Sequence, residues 1–146
     1  MSDGRAVIAV LLGGDTDEYE VTTGFVETLL RQILAVCEDA DGSCLVTTSS
    51  RTSQAVERLL SERLAAHPRC AMLLLASRDE LNGTVPGMLG WAKAVVVTGE
   101  SVSMLSEACA SGRPVVVVEP PVKSSRSAGA TKPRRFIRAL VEQGYA

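Results

Sequence analysis

The stretch VTGESVSMLSEACASGRPVVVVEP, residues 97–120, reads as the end of a buried strand, a sharp turn, a helix, a stop signal and the next strand. Residues 94–97 are apolar, and Thr98-Gly99-Glu100-Ser101 interrupts them with turn chemistry. Ser101 stands where an N-cap is needed, its hydroxyl accepting from a backbone N–H of the first helical turn. Val102, Leu105, Cys109 and Gly112 then recur at helical spacing, so that side can pack on a sheet. Gly112 followed by Pro114 ends the helix, and the valines at 115–118 predict a strand buried on both faces.

Such a turn leaves the first N–H groups of the helix free, with the positive end of its dipole aimed outward. That arrangement suits an anion, phosphate above all. Glu107 lies four residues after Ser103 on the same side of the helix. Helical side chains lean toward the N-terminus, so its carboxylate could reach a sugar hydroxyl beside a bound phosphate. A plainer reading leaves Ser101 as a cap only and Glu107 facing water.

Outward from this unit the chain alternates strand and helix. Residues 6–12 form an apolar first strand ending at Gly13-Gly14-Asp15, and a helix over 22–38 presents Phe25, Val26, Leu29, Leu30, Ile33 and Leu34 as a packing stripe. A second strand spans 44–47, and a helix spans 53–66 with Val56, Leu59, Leu60 and Leu64 on its buried side. His67-Pro68 stops that helix, leaving His67 as a surface residue, and a third strand covers 71–76. A loop over 77–82 leads to a short helical turn at 87–92. After the fifth strand, 120–133 reads as a long mobile basic loop, and a final helix spans 133–143.

This alternation predicts one α/β domain over residues 1–146, a Rossmann-like three-layer α/β/α sandwich with right-handed crossovers. A doubly wound parallel sheet of order 3-2-1-4-5 puts the carboxyl ends of strands one and four side by side at the switch point. The loops at Gly13-Gly14 and at 98–101 would then face each other across the ligand crevice.

Composition narrows the function classes. The chain has 146 residues and is 46% hydrophobic but only 3% aromatic, which suits helices on a parallel sheet. A net charge of −2 disfavours nucleic acid as a partner. Cys37, Cys44, Cys70 and Cys109 show no C-x-x-C spacing, so buried reduced thiols and a cytoplasmic location are expected. No apolar run approaches the ~20 residues of a membrane span, and no cleavable leader is evident. No nucleophile–base pair, metal cluster or carboxylate pair stands out, and no cofactor is expected.

Three further motifs flank the predicted crevice. In LLGGDTD (11–17) the glycines permit a tight turn and close approach to a ligand. It is neither G-x-G-x-x-G nor a P-loop, which argues against nicotinamide chemistry. TTSSRTS (47–53) places Arg51 and Thr52 just beyond the second strand, where a guanidinium fork matches phosphate oxygens; equally, the segment serves as a helix cap with a solvated arginine. In NGTVPGMLGWA (82–92), Trp91 adjoins a buried strand and reads as core. The late run Lys123, Arg126, Lys132, Arg134 and Arg135 is either a solvated face or an attractor for anionic ligands.

The segment WAKAVVVTGESVSMLSEACASGRPV (91–115) resembles the signature of the ELM1-like family, whose plant members are mitochondrial fission factors that recruit a dynamin-related protein. More loosely, Gly99, Ser103 and Glu107 resemble the G-x-x-x-S-x-x-x-E pattern in the carboxyl-terminal half of GT-B glycosyltransferases and UDP-sugar 2-epimerases. That resemblance implies a helix N-terminus on the nucleotide diphosphate and a glutamate on the ribose. The candidate nucleotide- and phosphate-binding residues are therefore Gly13, Gly14, Arg51, Thr52, Gly87, Thr98, Ser101, Val102, Ser103 and Glu107. Of these, Gly14, Ser101 and Ser103 would hold phosphate, Glu107 the ribose, and Arg51 would assist.

The chain also departs from those patterns. The glycine loop is acidic at Asp15, Asp17 and Glu18, Ser50 replaces an arginine of the family's Ser-Arg-Arg-Thr motif, and Gly83-Thr84 replaces Asn-Pro in the base-contacting loop. The resemblance implies a nucleoside diphosphate sugar as ligand, with a missing amino-terminal domain or second chain, or self-association, completing a glycosyltransferase or epimerase. The alternative is a non-catalytic interaction module that keeps the fold without the ligand. A receiver-like regulatory domain using Asp15 or Asp17 with Lys123 is a third reading.

Overall fold

The computed structural model describes residues 6–79 and 84–123. The final helix expected at 133–143, and most of the loop expected at 120–133, lie outside the described residues. Among the described residues nine elements alternate: β1 (Val7–Leu11), α1 (Thr23–Asp39), β2 (Ser43–Thr47), α2 (Gln54–Leu64), β3 (Cys70–Leu74), α3 (Thr84–Trp91), β4 (Ala94–Thr98), α4 (Val102–Ala110) and β5 (Val115–Val118). The five strands form one parallel sheet of order β3-β2-β1-β4-β5, as the alternation predicts.

Strands buried on two faces read as continuous apolar runs because alternate side chains feed different cores. In β1 and just beyond it, Val10 and Leu12 enter the cluster built with Val26, Leu30 and Ile33 of α1 and Val56 and Leu60 of α2. Ala9 and Leu11 enter the opposite cluster, with Met88 and Leu89 of α3 and Leu105 and Ala108 of α4. Full burial of a leucine such as Leu60 or Leu105 stabilises the fold by roughly 1.5–3 kcal/mol. These two clusters define the three layers.

The helices begin where the expected caps stand. The side-chain oxygens of Thr22, Ser53 and Ser101 accept from the backbone N–H groups of Phe25, Val56 and Met104. Gly112, just past α4, adopts φ +76°, the left-handed conformation that ends a helix without a Cβ penalty.

Three expectations need correction. β5 is not buried on both faces, since Val116 is exposed. Val116 pairs with Val96, on the face covered by α1 and α2, and those helices pack over β2 and β3 rather than the β5 edge. Trp91 is 53% exposed rather than core, because it is the last residue of α3 and Met88, Leu89 and Ala92 already fill the space beneath. Finally, the segment after β5 is not loose from its start. Val122 bridges Tyr19 in antiparallel fashion, and Glu20 and Lys123 donate backbone N–H groups to the carbonyls of Pro121 and Glu18.

The four cysteines are free; Cys37 and Cys44 are buried as expected, whereas Cys70 and Cys109 are only half-buried. Cys44 and Cys70 face each other in register across β2 and β3.

Candidate functional site

Three loops meet at the carboxyl edge of the sheet. β1 and β4 run side by side, with Leu11 opposite Val97, so the residues following each strand are neighbours. The Gly13 N–H donates to the Thr98 Oγ1 at 2.8 Å, a buried bond that ties the first loop to the fourth strand. From the β2–α2 loop, the Thr52 hydroxyl donates to the Gly13 carbonyl at 2.8 Å. Gly14 lies against the same loop so closely that a Cβ there would fall 2.0 Å from the Arg51 carbonyl oxygen. Only glycine permits that approach.

The β1–α1 loop is itself folded by local side-chain bonds. Asp15 Oδ1 accepts from the Val21 N–H at 2.8 Å, and Thr16 Oγ1 accepts from the Tyr19 N–H at 3.0 Å. Tyr19 and Val21 are buried and anchor the loop from below. Between this loop, Arg51 and the start of α4 lies an open cleft of about 610 Å³, lined by residues 15–18, Arg51 and residues 100–103.

The cleft sorts the ten expected site residues. Arg51, Ser101, Val102 and Ser103 line it. Gly13, Gly14, Thr52 and Thr98 form the frame beneath, Gly13 being hydrogen-bonded to both threonines and Gly14 packed against the Arg51 backbone. Glu107 is exposed, one turn further along α4 than Ser103 and outside the lining. Gly87 is an exposed position within α3, also outside it. Ser101 caps α4, accepting from the Met104 N–H at 3.3 Å. By helix geometry the Val102 and Ser103 N–H groups have no partner within α4.

A residue that sequence reasoning passed over as turn material is Glu100. It is 3% exposed, and neither carboxylate oxygen has a hydrogen bond of ordinary geometry among the described residues. The space it fills is the one a side chain at Gly13 would need: a Cβ there would sit 2.4 Å from Glu100 Oε2. Burial pushes its carboxyl up to about 7; the Thr98 hydroxyl and the Arg51 guanidinium only partly offset this, and Asp15 adds to it. The signal that could have found it is an acid between a largely apolar strand and a capped helix.

A second glutamate, Glu57 of α2, is buried at the neighbouring β2–β3 edge, and it too escaped the sequence reading. Its carboxylate accepts from the Thr48 hydroxyl at 2.9 Å, from the Ser77 hydroxyl in a short contact, and from the Ser77 N–H at 3.4 Å. Thr48 in turn accepts from the Ala76 N–H at 2.8 Å. Burial raises the Glu57 carboxyl, but the hydroxyl and amide donors outweigh burial and hold it below its ordinary range.

Among the described residues, no group of three His, Cys, Asp or Glu side chains is placed to hold a metal ion. Nor is any described helix long and apolar enough to cross a membrane.

Comparison with known proteins agrees with the signature at 91–115. The chain is 38% identical over 89 residues to the mitochondrial fission protein ELM1 of Arabidopsis thaliana, a match covering 61% of this chain and 19% of that protein. It is 28% identical over 139 residues to the uncharacterized protein RP120 of Rickettsia prowazekii (strain Madrid E), covering 94% of this chain and 37% of that one. The chain thus spans well under half the length of either relative. The family model for mitochondrial fission ELM1 matches residues 1–146, and the chain belongs to that family.

Proposed function

We propose that this chain is a nucleotide-sugar-binding domain of GT-B type, competent to bind but completed for catalysis only by a second domain or chain. The observation that carries the reading is the meeting of the Gly13-Gly14 loop, Arg51 and the α4 N-terminus in one cleft at the switch point of the sheet. The Val102 and Ser103 amides and the α4 dipole supply an anion seat, and Arg51 supplies the cation. The ligand is a nucleoside diphosphate sugar. Its diphosphate lies on the start of α4 and its ribose points along the helix toward Glu107.

Calorimetric titration with UDP, GDP, ADP, CDP and their sugar conjugates tests this. Saturable binding of one nucleotide is expected, weakened about tenfold in Glu107→Ala, the equivalent of one hydrogen-bonded contact to a charged group. Unchanged affinity in that variant sinks the ribose assignment.

A second reading, an interaction module without ligand, is favoured by the acidic lining of the cleft at Asp15, Asp17, Glu18 and Glu100 against one arginine. Absence of nucleotide binding at millimolar concentration, with the fold intact, decides for it.

A further inference from the structure

We propose that the anion seat at the start of α4 is proton-linked through Glu100: it takes an anionic group only when this buried carboxyl is neutral, so ligand binding is accompanied by proton uptake. The inference rests on the phosphate seat described above and adds its regulation. Glu100 immediately precedes the N-cap Ser101, lines the same cleft as Val102 and Ser103, and is 3% exposed with neither oxygen in a hydrogen bond of ordinary geometry. Ionised, it is itself the negative charge that the positive end of the helix would hold, and a second anion beside it is repelled in a poorly hydrated setting. Neutral, it leaves the helix end to the ligand and has a proton to donate toward it.

The surroundings keep this carboxyl poised. From the β1–α1 loop Asp15 opposes ionisation, with Asp17 and Glu18 adding negative charge to the same cleft. From the β2–α2 loop Arg51 favours ionisation, as do the Thr98 hydroxyl of β4 and the Glu100 backbone amide. On α4 the nearest acid is Glu107, exposed and outside the cleft. With burial as the largest influence, the group titrates at about 7, so the link operates near neutral pH.

The test is an NMR titration of the full chain with sulfate, whose charge is constant between pH 6 and 8, reading the Val102 and Ser103 amides. Wild type is expected to bind about tenfold more weakly at pH 8 than at pH 6, following the neutral fraction of Glu100. Glu100→Gln, a neutral isostere, is expected to bind equally at both values, close to wild type at pH 6. Wild-type affinity that is flat across this range overturns the proton link and leaves the anion seat standing. If sulfate moves neither amide in either protein, seat and link fall together. Should Glu100→Gln not fold, calorimetry of wild type in two buffers of different ionisation enthalpy reads the proton directly. About half a proton taken up at pH 7 is expected, and none refutes the link.

Discussion

Glu57 and Glu100 are both buried at the carboxyl edge of one sheet, and their surroundings are opposite. At the β2–β3 edge, Glu57 is met by Thr48 and Ser77, so its charge is hydrogen-bonded and its carboxyl stays acidic. At the β1–β4 edge, Glu100 lies against Gly13 with no donor at ordinary hydrogen-bond geometry, and its carboxyl is pushed up to about 7. A buried charge is tolerated when donors surround it and costs stability when they do not. The first edge is therefore built as structure. The second keeps an unmet polar group beside an open cleft, the kind of local defect that functional sites retain.

The largest expected effect tests the frame that both edges share. Gly14→Ala drives a Cβ into the Arg51 carbonyl, a backbone atom that cannot swing aside, and is expected to cost about 3 kcal/mol or more in denaturant unfolding. A loss below about 1 kcal/mol would show that the loops separate easily. Glu57→Ala strips the acceptor from Thr48 and Ser77 and should cost about 2 to 3 kcal/mol. A near-neutral result would remove the contrast between the two edges.

The Glu100 effect is opposite in sign. Its ordinary value is 4.5 and its folded value about 7, so the folded chain holds an extra proton between them. The associated stability is full below about 4.5, declines as pH rises and is lost as pH passes about 7. Glu100→Gln should therefore gain roughly 3 kcal/mol at pH 8 and nothing near pH 4. Glu57 runs the other way: its lowered carboxyl stabilises the fold above the ordinary carboxylate range and loses that contribution as pH falls through it. Matching pH profiles for Glu57→Gln and Glu100→Gln would end the comparison. The smallest effect is Thr52→Val, which removes the hydroxyl bond to the Gly13 carbonyl and should cost about 1 kcal/mol without changing the pH profile.

The meeting of the loops that form the candidate cleft was legible in the sequence because it follows from topology. Once the strand order is 3-2-1-4-5, the loops after β1 and β4 must be neighbours, and Ser101 must cap a helix there. The division of labour among those residues was not legible. Thr98 and Thr52 read as ligand contacts from their place after the strands and from the resemblance; the structure shows that their hydroxyls also hold Gly13 in place. Whether a side chain lines a cleft or braces the wall behind it depends on partners tens of residues away.

By itself the sequence determined the elements of the described residues and their order. Apolar runs, caps and helix stops are local signals, and a parallel sheet has few ways to wind. It also carried the family, through the contiguous segment at 91–115. Only the tertiary structure decided which buried acid is satisfied, because hydrogen-bond partners come from other strands and loops. It likewise decided that Trp91 and Val116 face outward, since burial depends on which face a neighbouring helix covers. Glu57 and Glu100 are the same residue type, and packing alone makes one a brace and the other a titrating group.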